Sequence, residues 1–135
     1  MNSERGFSLI ELMVVVAVIA IIIGIGYPSY LGYMQKTRRT DGIAALNHDA
    51  MFMESCRSEK ATYVGCKDET RFLAQSEKGN YTIVANPVTA SSYTLTATAI
   101  GVQAKDSKCT KLTLTAQGTR GYTGSAPDVA TCWGS

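Results

Sequence analysis

Glu11 is the acidic residue whose surroundings demand an explanation. It opens a stretch, Leu12 to Gln35, that holds no Asp, Glu, Lys or Arg. A carboxylate carried into lipid at mid-helix costs about 2.5–3.5 kcal/mol on insertion scales, so one retained there implies a partner, or reach to the headgroups. Just ahead of it lies Gly6-Phe7-Ser8-Leu9-Ile10, and a cut after Gly6 would free an amine on Phe7 close to Glu11. Four cysteines, Cys56, Cys66, Cys109 and Cys132, are even in number and widely spaced, which reads as two disulfides in an oxidising compartment, with three possible pairings. Cys56–Cys66 and Cys109–Cys132 are favoured, because they tie a helix end to the following loop and a strand to the tail. Loops of about ten and about twenty residues make each worth about 2–4 kcal/mol. With a single histidine, His48, and no close cysteine pair, a zinc site is not expected. His48, Asp49 and Glu54 lie near one another in sequence, but no nucleophile motif or phosphate loop accompanies them, so no enzyme, metal or cofactor is expected.

Lys105, Lys108, Lys111 and Arg120 form one basic concentration, countered by Asp106 and Asp128. Such cations could meet DNA phosphates, with Tyr122 or Trp133 stacking on bases; solvated strand edges carry the same pattern. The whole chain is only +2 in formal charge, which excludes nucleic-acid binding by bulk electrostatics alone.

These residues need elements to hold them. A secretory signal places its apolar region before a small-residue cleavage site. Here the small residue, Gly6, comes first, so residues 1–6 read as a leader whose removal leaves the apolar segment in place. Residues 7–35 form a hydrophobic helix: Leu12 to Gln35 rises about 36 Å, against a bilayer core of about 30 Å. Gly24, Gly26 and Pro28 predict a kink or local break. Beyond Tyr33 the pattern turns amphipathic, with Ile43, Leu46, Ala50 and Met53 on one face and Lys36, Arg38, Arg39, Asp41, Asp49 and Glu54 largely elsewhere. The helix is expected from about Phe7 to about Cys56, followed by a loop over 57–80. Strands are expected at 81–85, 93–100 and 110–116, where Tyr93-Thr-Leu-Thr-Ala-Thr-Ala alternates with period two. Asn86-Pro87 reads as a turn, and no clear strand follows Gly118. Residues 36–135 thus make one head.

Gly6-Phe7-Ser8-Leu9-Ile10-Glu11-Leu12, the apolar run and Tyr27-Pro28-Ser29-Tyr30 resemble the class III signal segment of type IV pilins. Tyr93 to Ala99, Gly101 to Asp106, Cys109, Leu112-Thr-Leu and Cys132-Trp133 resemble the heads of minor pilins of the PilE kind, while 57–80 matches no recognised pattern. The resemblance implies an α+β type IV pilin fold, a long N-terminal helix packed on a small antiparallel sheet. It implies cleavage after Gly6 by a prepilin peptidase, methylation of the Phe7 amine and packing of the helices into a filament. In a staggered assembly the Glu11 carboxylate of one subunit would meet the Phe7 amine of its neighbour and fix register. The implied function is a structural subunit of a type IV pilus, a minor pilin, supporting adhesion, twitching motility or DNA uptake. The alternatives are a major pilin, a DNA-binding pilus-tip receptor, and a pseudopilin of a type II secretion system, whose heads often carry acidic calcium ligands where this tail offers only Asp128. Its partners would be other pilin subunits, the peptidase and, before assembly, the bacterial inner membrane; the head would face the periplasm and later the outside.

Overall fold

A computed structural model describes residues 6–134. Residues 1–5, most of the expected leader, lie outside the described residues. The chain divides into two compact units, one ending at Met34 and the other starting at Gln35.

Helix α1 spans Leu9–Lys60. In the first unit its Val and Ile side chains are exposed on every side. A helix that is apolar all round needs a non-aqueous surround, and this one is long and apolar enough to cross a membrane. β-Branched residues are mediocre helix formers in water, but in lipid only intrahelical bonds can satisfy a single segment's backbone. The helix runs unbroken through Gly24, Gly26 and Pro28, where a break is expected. Pro28 forgoes the bond that its own N–H would give to the Gly24 carbonyl, while the intrahelical bonds on either side continue the helix.

In the second unit, α1 is followed by β1 (Tyr81–Val88), β2 (Tyr93–Ala99), β3 (Lys111–Thr115), β4 (Arg120–Thr123) and a short α2 (Val129–Trp133). The strands form one antiparallel sheet in the order β1-β2-β3-β4. Two expectations need correction. The tail forms β4, which pairs Leu112 with Tyr122 and Leu114 with Arg120. Asn86-Pro87 lies inside β1, beside an irregularity between Ala85 and Val88. The turn comes later, where Thr89 N–H donates to the Ser92 carbonyl at 2.8 Å.

Period-two alternation lays Tyr81, Ile83, Ala85, Tyr93, Leu95, Ala97, Leu112 and Leu114 against the helix face that carries Ala45, Leu46, Phe52, Met53 and Cys56. Burying each large apolar side chain contributes about 1.5–3 kcal/mol. Gly42 sets the closest approach: a Cβ there would stand 2.8 Å from the Tyr81 ring. Against expectation, Arg39, Asp41 and Asp49 share this buried face, because each meets a fixed partner. Asp41 accepts from Ser76 Oγ at 2.7 Å, Asn80 Nδ2 at 2.9 Å and Lys78 N–H at 3.1 Å. Asp49 accepts from Leu73 N–H at 2.9 Å. Two carboxylates on α1 therefore satisfy the backbone of a segment that has little regular structure of its own. The structure pairs Cys56 with Cys66 and Cys109 with Cys132.

Candidate functional site

Gly6, Phe7 and Ser8 precede the first helical turn, with Phe7 largely exposed. Glu11 lies in that turn, is exposed, and gains from the positive end of the helix dipole. Gly6, Phe7 and Glu11 thus lie together at one end of α1, all exposed.

In the head, His48, Asp49 and Glu54 do not converge. His48 Nδ1 is 3.2 Å from Asp49 Oδ1, but Glu54 Oε1 accepts from the hydroxyls of Tyr63 (2.7 Å) and Tyr93 (3.3 Å). Burial pushes the Asp49 carboxyl above its ordinary range despite the hydrogen bonds from Leu73 and His48. At Asp41 burial works in the same direction, but the bonds from Ser76, Asn80 and Lys78 outweigh it and hold that carboxyl low. Burial and the neighbouring Glu54 push the Tyr93 hydroxyl up. Each of these groups is engaged with a neighbour in the head, and among the described residues no cluster of three or more His, Cys, Asp or Glu side chains is arranged to hold a metal ion.

The basic residues separate into two sets. Arg120 pairs across β4 with Leu114, about 10 Å along the strand from Lys111, and its guanidinium lies 5.2 Å over the Trp133 ring. Trp133 is buried and its Nε1–H donates to the Gly121 carbonyl at 2.8 Å, so it is not available to stack on a base. Tyr122 donates its hydroxyl to the Ala126 carbonyl at 2.8 Å. Lys105, Lys108 and Lys111 are exposed and, among the described residues, form no ion pair. Asp106 and Asp128 do not counter them. Asp128 caps α2, accepting from Thr131 N–H and Oγ1 at 2.7 Å each, and these bonds hold its carboxyl low.

Asp106 is fully buried beneath the lysines. It accepts a two-pronged bond from Arg39, Nε to Oδ2 at 2.6 Å and Nη2 to Oδ1 at 2.9 Å. Arg39 Nη1 also donates to the Thr131 carbonyl at 2.9 Å. Gln103, likewise buried, donates Nε2–H to Gln35 O, Tyr81 Oη and Asp106 Oδ2 at 3.0–3.2 Å. Sequence reasoning treats Arg39 and Asp106 as solvated charges and misses Gln103. The available signal is the spacing: 103, 106 and 109 alternate with 105, 108 and 111, two interleaved sets of period three.

The family described as "Type IV minor pilin ComP, DNA uptake sequence receptor" matches residues 28–113, nearly two-thirds of the chain. The chain belongs to this type IV minor pilin family. The prokaryotic N-terminal methylation motif matches residues 1–27, the stretch that holds Gly6, Phe7 and Glu11. The prepilin peptidase-dependent protein D of Escherichia coli (strain K12) is 42% identical over 59 residues, which cover 44% of this chain and 40% of that protein. The type IV major alpha-pilin of Moraxella bovis is 48% identical over 40 residues, 30% of this chain and 25% of that one. This minor pilin therefore spans two-fifths or less of the length of these relatives. The non-core minor pilin PilV of Neisseria meningitidis has the same fold, with a TM-score of 0.59 and 21% identity, over 73% of this chain and 95% of that one.

Proposed function

We propose that this minor pilin is a low-copy structural subunit of a type IV pilus, built into the filament through residues 7–35. The observation that carries the reading is Glu11, a carboxylate in the first turn of a helix whose other side chains through Gln35 are uncharged and whose apolar surface is exposed. A prepilin peptidase cuts after Gly6, the Phe7 amine is methylated, and that amine pairs with Glu11 of the adjoining subunit. Removing one member of a desolvated charge pair costs about 3–5 kcal/mol, enough to abolish incorporation. Before assembly the helix resides in the inner membrane with the head in the periplasm; afterwards the head lies outside the cell. Mass spectrometry of sheared filaments should find a methylated peptide that begins at Phe7, in trace proportion to the dominant subunit. Abundance as the main component would make the chain the major pilin. An intact Met1, or absence from filaments, would overturn the pilus reading and favour a secretion-system role.

A second, compatible reading is that the head binds DNA, supported by the family's description as a DNA uptake sequence receptor and by the unpaired Lys105, Lys108 and Lys111. Three phosphate contacts predict a slope of about −2.7 for log affinity against log salt, at about −0.9 per contact. Charge reversal at the three lysines should abolish a shift of duplex DNA; a shift that survives it refutes the assignment.

A further inference from the structure

From residue 102 to residue 111 the chain is built as a comb. Val102, Lys105, Lys108 and Lys111 are exposed, while Gln103, Asp106 and Cys109 are buried. Each buried residue grips a different support. The Gln103 amide holds the Gln35 carbonyl of α1 and the Tyr81 hydroxyl of β1. Asp106 holds the Arg39 fork of α1, which also reaches the carbonyl of Thr131 in α2. Cys109 is bonded to Cys132 of α2. The next segment laces the outside, with Ser125 N–H to Ser107 O at 3.0 Å and Ala126 N–H to Lys108 O at 3.1 Å.

This is heavy anchoring for a connection between two strands, and two of its three grips, Gln103 and Asp106, are buried polar ones. A buried ion pair is poor at adding net stability compared with apolar residues of the same volume. What a two-pronged guanidinium–carboxylate contact does supply is a fixed geometry. We infer that Arg39 and Asp106, with Gln103, are positioning residues for the polyanion-binding face. They hold the backbone that carries Lys105 and Lys108 in the conformation in which both ammonium groups meet successive phosphates of a duplex; without the fork that backbone shifts and both phosphate contacts are lost. Lys111 does not depend on them, because β3 holds it in register opposite Thr98 and Thr123. The inference rests on the DNA-binding reading of the head.

Arg39→Lys is the informative substitution. It keeps a cation beside Asp106, so no buried charge is stranded, but one ammonium cannot reproduce a fork that reaches both carboxylate oxygens and the Thr131 carbonyl. The assay uses the full-length chain in detergent with a fluorescent duplex of mixed sequence, titrated across a series of salt concentrations. The slope of log affinity against log salt should fall in magnitude by about 1.8, two contacts at about 0.9 each, leaving the contribution of Lys111. Lys105→Ala/Lys108→Ala should lose the same amount, and adding Arg39→Lys to that pair should remove nothing more. Should Arg39→Lys fail to fold, Gln103→Met, which keeps the side-chain length but drops the amide bonds, carries the same test with the same expected slope. A wild-type chain that binds DNA while the folded variant retains the full slope overturns the positioning role and leaves the DNA reading intact. The positioning role is equally overturned if Arg39→Lys weakens binding as much without the two lysines as with them. Absence of salt-dependent binding by the wild-type chain overturns both.

Discussion

A methyl group at position 42 has no space to occupy. Built on the backbone, it would lie 2.8, 2.9 and 3.0 Å from Cδ2, Cγ and Cε2 of Tyr81, against about 3.5–4.0 Å for a relaxed carbon contact. The ring would have to retreat by roughly 0.7 Å. It is poorly placed to do so, being fully buried, with its backbone paired to Ala99 and its hydroxyl held by Gln103. Overpacking of this kind costs about 1–3 kcal/mol, and replacing a mid-helix glycine by alanine returns about 1 kcal/mol. Gly42→Ala is therefore expected to lose about 1 kcal/mol net, with bounds of about 0 and 2. Urea unfolding of the full chain in detergent, followed through its single tryptophan, the buried Trp133, reads this as a midpoint lower by about 0.5 M for a slope of about 2 kcal/mol/M. In a Tyr81→Leu background the same substitution should become stabilising, because the clash is gone and the helix-propensity gain remains. If Gly42→Ala exceeds the parent in stability while Tyr81 is intact, the tight seating of helix on sheet is wrong.

The two buried aspartates titrate in opposite senses. Because burial raises the folded-state value of Asp49, the stability it contributes is fully present below the unfolded value near 3.8 and is lost as pH rises through the folded value. Asp49→Asn, which still accepts the Leu73 N–H, should thus be more stable than the parent at neutral pH and converge with it below pH about 3.8; a deficit unchanged across pH would refute this. Disulfide removal should rank by loop. Separations of 10 and 23 residues give about 2.7 kcal/mol for Cys56–Cys66 and about 3.4 kcal/mol for Cys109–Cys132 on the chain-entropy estimate, so paired Cys→Ser replacement at 109 and 132 should lower the urea midpoint more; the reverse order would show that contacts outweigh loop entropy. Glu11→Ala should leave head stability within about 0.5 kcal/mol of the parent yet remove the chain from sheared filaments, and continued incorporation would eliminate the charge-pair mechanism.

Much of the fold is legible in the sequence because its signals are long or regular. The uncharged run after Glu11 is long enough to cross a bilayer and can do so only as a helix, and the alternation over Tyr93–Ala99 repeats period two often enough to exclude a helix there. Strand β4 is not legible: Arg-Gly-Tyr-Thr is four residues with a glycine, too short for a period, and it exists because Leu112 and Leu114 offer an edge. The buried charges are hidden for a different reason. Arg39, Leu46 and Met53 occupy one heptad position and Gly42, Asp49 and Cys56 another, so each of these two rows of the buried face includes a charged residue that a hydropathy pattern assigns to solvent. What places them inside are partners such as Asp106, 67 residues away from Arg39, and Leu73, 24 away from Asp49. The same holds for the lysine face: its charges are visible in the sequence, but the loss of their expected counter-ion, Asp106, to Arg39 is set by tertiary contact alone.

The interleaving of residues 103, 106 and 109 with 105, 108 and 111 gives the head a consequence for its own divergence. Because the gripping and the displayed positions never coincide, the displayed side chains can be exchanged singly, for acidic, neutral or aromatic ones, at little cost to folding. Relatives that share this backbone are then free to change what their outer surface recognises one residue at a time, while the buried register of Gln, Asp and Cys is held under far stricter selection. Homologous sequences should accordingly vary with period three across this segment, invariant on one phase and drifting on another.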